Sequence, residues 1–98
     1  MTNNENFKED YSKRVARKKR AIGLLCREIR LRHNLTLQQV SDRMGTSERS
    51  ITKVETRNEV SYDLLLRLFH FYYWAGLATE EDRTKLEMIV WADGMCKQ

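Results

Sequence analysis

The sequence predicts an all-α fold of five helices, and three observations carry that prediction. The 98 residues contain no proline and only four glycines, so nothing forces a long helix to break. No run of alternating β-branched residues bounded by turn signals occurs, so nothing argues for a strand. Apolar residues recur at three- and four-residue spacing behind recognisable capping residues, as at Thr36-Leu37 and Ser61-Tyr62. The length suits one domain with one modest core. Residues 1–20 read as a basic arm or helix extension, 21–74 as the domain proper, and 75–98 as a C-terminal helix.

At the N-terminus, MTNNEN is expected to be disordered. Lys13 to Arg20, KRVARKKR, then places six basic residues in eight positions. Three readings stay open for this run. It can be a flexible arm on an anionic partner, a backward extension of helix 1, or a solvated basic surface. Phe7, Tyr11, Val15, Ile22, Cys26 and Ile29 fall near one helical stripe, which suits the extension. Helix 1 proper spans about Ala21 to Arg32, with Ile22, Cys26 and Ile29 inward and His33-Asn34 ending it. Leu24 and Leu25 exceed what that stripe absorbs, so one of them is exposed or covered by another element.

Thr36 with Gln39 has the form of a capping box, so helix 2 starts at Leu37. Val40 and Met44 share its inner face. Gly45 stands where a helix ends in a left-handed residue, a conformation glycine adopts without a Cβ clash. Thr46 or Ser47 caps helix 3, in which Ile51 and Val54 face inward and Glu48, Arg49, Thr52 and Lys53 face out. So short a helix gains little by itself and has to be held by its neighbours. Ser50 is expected to pack against helix 2.

IGLLCREIR, LTLQQVSDRMG, TSERSITKVE and SYDLLLRLFHFY together resemble the lambda-repressor-like, or Xre-type, helix-turn-helix family over Ile22 to Tyr72. The resemblance implies transcription factors that dock the second helix of the motif in the major groove of double-stranded DNA, usually as dimers. It further implies base contacts from Ser47, Glu48, Arg49, Thr52 and Lys53. A forked bond from Arg49 to guanine is the commonest specific contact. Glu48 can accept from cytosine or simply cap its helix. Phosphate contacts are expected from Thr36 and Gln38, where free backbone N–H groups favour anions, and from Lys18, Lys19 and Arg20 if the basic run is an arm. The resemblance adds Arg57 and Asn58 in the loop after helix 3. That loop, TRNEVS, departs from the family in lacking a glycine after the glutamate and a proline before helix 4, so its path stays open. The resemblance also implies a structural ion pair between Arg30 and Glu55.

Helix 4, YDLLLRLFHFYYW, is apolar nearly all round, more than one small core can absorb. Leu65, Leu68 and Tyr72, with Leu64 beside them, close the domain. Leu66, Phe69, Tyr73 and Trp74 are then spare. Thr79 with Asp82 opens a fifth helix that ends near Ala92 and adds Leu86, Met88, Ile89, Val90 and Trp91. A two-fold homodimer through Leu66, Phe69, Tyr73, Trp74, Met88 and Trp91 is expected. The alternative is that helix 5 folds back over Leu24 and Leu25 within one chain.

The formal charge of +4 conceals a gradient. Residues 1–60 carry fourteen Lys/Arg against eight Asp/Glu, whereas residues 61–98 carry four against six. The basic half contains the motif, which suits an anionic partner there. No apolar run approaches membrane-spanning length, and the N-terminus is unlike a signal sequence. Cys26 and Cys96 have neither metal-ligand nor disulfide-framework spacing, so a reducing cytoplasm is expected. Cys26 reads as a small buried hydrophobe. His33 reads as a surface or packing residue and His70 as a packing or interface residue, and no cofactor, metal or catalytic constellation is expected. Two function classes remain. One is a DNA-binding regulator, most simply a repressor, and the other a protein-interaction module such as an antitoxin or coactivator-like scaffold with a regulatory protein partner.

Overall fold

The longest helix sets the frame. The computed structural model describes the backbone of residues 4–57 and 59–95 and the side chains of residues 11–57 and 59–91. In it α1 runs unbroken over Asn4–Arg32, roughly 44 Å at the usual helical rise, and the molecule measures 52 × 28 × 17 Å along its principal axes. The basic run is therefore helical and continuous with helix 1. Asn4 to Asn6, expected to be disordered, begin that helix, and residues 1–3 lie outside the described residues. The helix stops where His33 N–H reaches back to the Ile29 and Arg30 carbonyls and Asn34 turns left-handed at φ 55°.

Four further helices follow: α2 (Leu37–Met44), α3 (Glu48–Thr56), α4 (Tyr62–Trp74) and α5 (Glu80–Met95). Local chemistry explains where each begins. The Thr36 hydroxyl accepts from Gln39 N–H while the Gln39 amide oxygen accepts from Thr36 N–H, a closed capping box. Ser47 caps α3 and Ser61 caps α4 with the first of these bonds alone, their hydroxyls accepting from Ser50 N–H and Leu64 N–H. At α5, Thr79 and Asp82 exchange the same two bonds, at 2.8 and 3.1 Å. Each cap satisfies an amide that the first helical turn leaves unpaired.

The core runs along α1. Ile22, Leu25, Cys26 and Ile29 meet Val40 of α2, Ile51 and Val54 of α3, and Leu65, Leu68, Phe69 and Tyr72 of α4. Phe69 differs from the sequence reading. It is 4% exposed and filled into the protomer itself, so it is not a spare residue on the helix surface.

The fifth helix packs back on the first. Arg32 grips Asp82 with two bonds of 2.8 and 3.0 Å, and Lys18 Nζ donates to the Val90 carbonyl at 3.0 Å. Leu25 lies seven residues from each of these, on the same stripe of α1, and is buried, whereas Leu24 is exposed. Leu86, Ile89 and Val90 pack half-buried against the core. The fold-back expected as the alternative thus describes one face of α5, and Met88 and Trp91 remain exposed. The Arg32 guanidinium, helped by Thr79, holds the buried Asp82 carboxyl down from 3.8 to about 2.

Candidate nucleic-acid interface

The turn between α2 and α3 is fixed by its backbone. Gly45 sits at φ 79°, ψ 29°, and its N–H closes on the Ser41 carbonyl, while the Ser41 hydroxyl donates to the Thr46 carbonyl just beyond the turn. A side chain at position 45 would meet no neighbour within 4 Å, so the left-handed backbone rather than space demands glycine. α3 then presents two unlike edges. Ile51 and Val54 are buried to 1% and 0% exposure. Glu48, Arg49, Thr52 and Lys53 are exposed, and among the described residues the side chains of Arg49 and Lys53 engage no protein partner. Ser47 is spent on the cap, accepting from Ser50 N–H and bonding the Ser50 hydroxyl at 3.0 Å.

The far end of α3 is bolted to α1. Arg30 Nε and Nη2 donate to the two Glu55 carboxylate oxygens at 2.6 and 2.9 Å, and Arg30 Nη1 donates to the Leu35 carbonyl at 2.7 Å. Glu55 is 3% exposed, so the forked pair is desolvated. Its hydrogen bond to Glu55 raises the Arg30 pKa despite the opposing cost of burial. Burial pushes up both the Cys26 thiol and the Tyr72 phenol, which keeps both neutral beside this pair. Tyr72 is fully buried and its hydroxyl has no hydrogen-bond partner among the described residues.

Sequence reasoning missed two parts of this junction. Gly23 lies where a Cβ would stand 2.0 Å from the Val54 carbonyl oxygen, so α1 and α3 touch backbone to backbone. Arg20 Nη1 donates to the Glu55 carbonyl at 2.6 Å. A lone glycine inside a helical pattern is the signal that pointed to close packing.

The residues expected on phosphate divide. Thr36 and Gln38 are exposed at the α2 N-terminus, and Arg57 is exposed at the end of α3, with Asn58 outside the described residues. Lys18, Lys19 and Arg20 do not form a free arm. Lys18 is bonded to α5, Lys19 lies 5.4 Å from the centre of the Tyr62 ring on α4, and Arg20 is bonded to α3. The helix carries each of them past a different neighbour within reach.

The residues expected at a dimer surface also separate. Leu66 and Tyr73 line a groove of about 390 Å³ between α4 and α5, with Phe69 behind them stacked on Tyr73 at 6.4 Å between ring centres. Trp74 lies on the other flank of α4, in a cleft of about 440 Å³ against Met44, Gly45 and Thr46. His70 borders both. Among the described residues no cluster of His, Cys, Asp and Glu has metal-binding geometry, and no helix is long and apolar enough to cross a membrane.

A capped helix, a left-handed glycine turn and a second short helix with a buried inner edge and a polar outer edge define a helix-turn-helix domain. A family model described as helix-turn-helix matches residues 27–72, 46 of the 98 residues. No curated protein and no solved structure matches the chain. That match supports an Xre-type, lambda-repressor-like helix-turn-helix domain over residues 27–72, a kind of domain that DNA-binding transcription regulators carry.

Proposed function

We propose that the protein is a sequence-specific repressor that binds a palindromic operator as a homodimer, with α3 in the major groove. The observation that carries this is the contrast between the two edges of α3. Its inner edge and far end are fixed, while Arg49 and Lys53 are exposed and engage no protein partner among the described residues. A side chain read by DNA has to be held in place yet unspent, because any internal bond must be broken before a base can replace it. In this reading Arg49 forks onto guanine, Glu48, Thr52 and Lys53 contact neighbouring bases, and Ser47 holds the helix start as its cap. Thr36, Gln38, Arg57 and Asn58 fix the register on phosphates. The second subunit docks through exposed Leu66, Trp74, Met88 and Trp91, with Tyr73 at the margin. Binding to the DNA flanking its own gene, measured over a range of salt with sedimentation to count subunits, tests the reading. A monomer with equal affinity for scrambled duplex defeats it.

Leu66 and Tyr73, which line the α4–α5 groove, support a second reading, in which that groove holds a regulatory protein rather than another copy. A chain that is polydisperse alone and becomes monodisperse when co-expressed with a neighbouring gene product favours that reading over the homodimer.

A further inference from the structure

Arg20 and Gly23 both precede residue 27, where the family match begins, yet both act on α3. They lie three residues apart on one face of α1. Gly23 lets the α1 backbone come against the Val54 carbonyl, and that approach brings the Arg20 guanidinium to the Glu55 carbonyl at 2.6 Å. Carbonyls in the last turn of a helix have no partner further along and carry the negative end of its dipole. Arg20 supplies both a donor and a positive charge there.

This grip differs in kind from that of Arg30. Arg30 holds the Glu55 carboxylate, and a glutamate side chain has three rotatable bonds between that group and the helix. Such a pair tolerates some swing of the α3 axis. Arg20 holds the backbone of the same residue, and Gly23 sets the backbone-to-backbone distance one residue earlier. Together they fix the end of a helix that has only nine residues and buries only Ile51, Val54 and Glu55.

We propose that Arg20, seated by the close approach at Gly23, is a positioning residue for DNA recognition, holding the α3 axis so that Arg49 and Lys53 meet the groove together. The proposal rests on the base-reading role of α3 given above. It assigns Arg20 a role in recognition without any contact to DNA.

The test uses the full chain as parent, Arg20→Ala, Arg20→Lys, and Arg17→Ala, which removes the same charge from an exposed site on the same helix. Amide exchange of Lys53 to Thr56 is followed without DNA, and discrimination between operator and scrambled duplex is followed across salt. In Arg20→Ala, exchange of these amides speeds up about tenfold, as befits loss of a charged hydrogen bond. Discrimination falls by a similar factor of about ten while the salt slope keeps its parent value. Arg20→Lys recovers part of both, and Arg17→Ala leaves the exchange of α3 unchanged. Parent-like exchange in Arg20→Ala overturns the proposal. So does a salt slope reduced by about one unit, the mark of a lost phosphate contact. A parent chain that prefers no duplex overturns the base-reading role of α3 instead, while the exchange data still decide whether Arg20 holds that helix.

Discussion

Two sets of basic side chains in this protein look alike in the sequence and have opposite fates. Lys18, Lys19, Arg20, Arg30 and Arg32 are spent inside the molecule, on a carbonyl, an aromatic ring, a second carbonyl and two carboxylates. Arg49 and Lys53 stand exposed on α3 with no such partner among the described residues. The difference is position relative to other helices. α1 passes α3, α4 and α5, so long cationic side chains on several of its faces find acceptors. The outer edge of α3 faces away from every neighbour. A local density of positive charge therefore says little about where an anionic ligand binds until the packing is known.

The contrast makes separable predictions, because spent charges register in stability and unspent ones in DNA binding. The largest effect belongs to Glu55→Ala, which strands Arg30 in a desolvated site. Chemical denaturation should show a loss of about 3–5 kcal/mol, a large share of the stability of so small a domain. A loss below about 1 kcal/mol would place that pair among the weak surface bridges. Next, Arg49→Ala should cost about 1–3 kcal/mol on the operator and blur one base position. The same variant should unfold within about 0.5 kcal/mol of the parent, as exposed substitutions usually do. An equal loss on operator and scrambled duplex would reduce Arg49 to a nonspecific cation.

The Arg32–Asp82 clasp gives a smaller, pH-dependent signal. The Asp82 pKa is lowered from 3.8 to about 2 on folding, so its contribution is fully present above the unfolded value. It is lost as pH falls through about 4 towards 2. The contribution is about 1–2 kcal/mol, discounted because Arg32 is partly open to water. Asp82→Asn should remove that share of the acid sensitivity, and an unchanged acid unfolding profile would show the clasp to be idle. Smallest of all, Lys19→Ala should cost about 0.5–1 kcal/mol through its lost contact with the Tyr62 ring. It should leave the salt slope of DNA binding alone, and a flatter slope would return Lys19 to the phosphate-contacting set.

Much of the interface was legible residue by residue because the relevant physics is local. A hydroxyl three residues ahead of a glutamine, as at Thr36 and Gln39, closes a box whatever surrounds it. Gly45 ends α2 because its own backbone turns left-handed, and the alternation of Ile51 and Val54 with Arg49 and Lys53 orients α3 by periodicity alone. Phe69 was not legible in the same manner. Helix 4 is apolar on nearly every side, so periodicity cannot say which of its aromatic residues enter the core and which stay outside. The length of α1 was equally open, since with no proline or glycine before Gly23 nothing local marks a boundary at residue 20.

The sequence by itself determined the five helices, their caps and turns, and the face that α3 shows to solvent, since each follows from groups a few residues apart along one chain. Tertiary structure alone decided that the basic run braces three helices, that Phe69 is core and Trp74 is not, and that α5 lies along α1. Those outcomes depend on which distant carbonyl, ring or carboxylate comes within about 3–6 Å of a side chain, and sequence spacing carries no information about such distances.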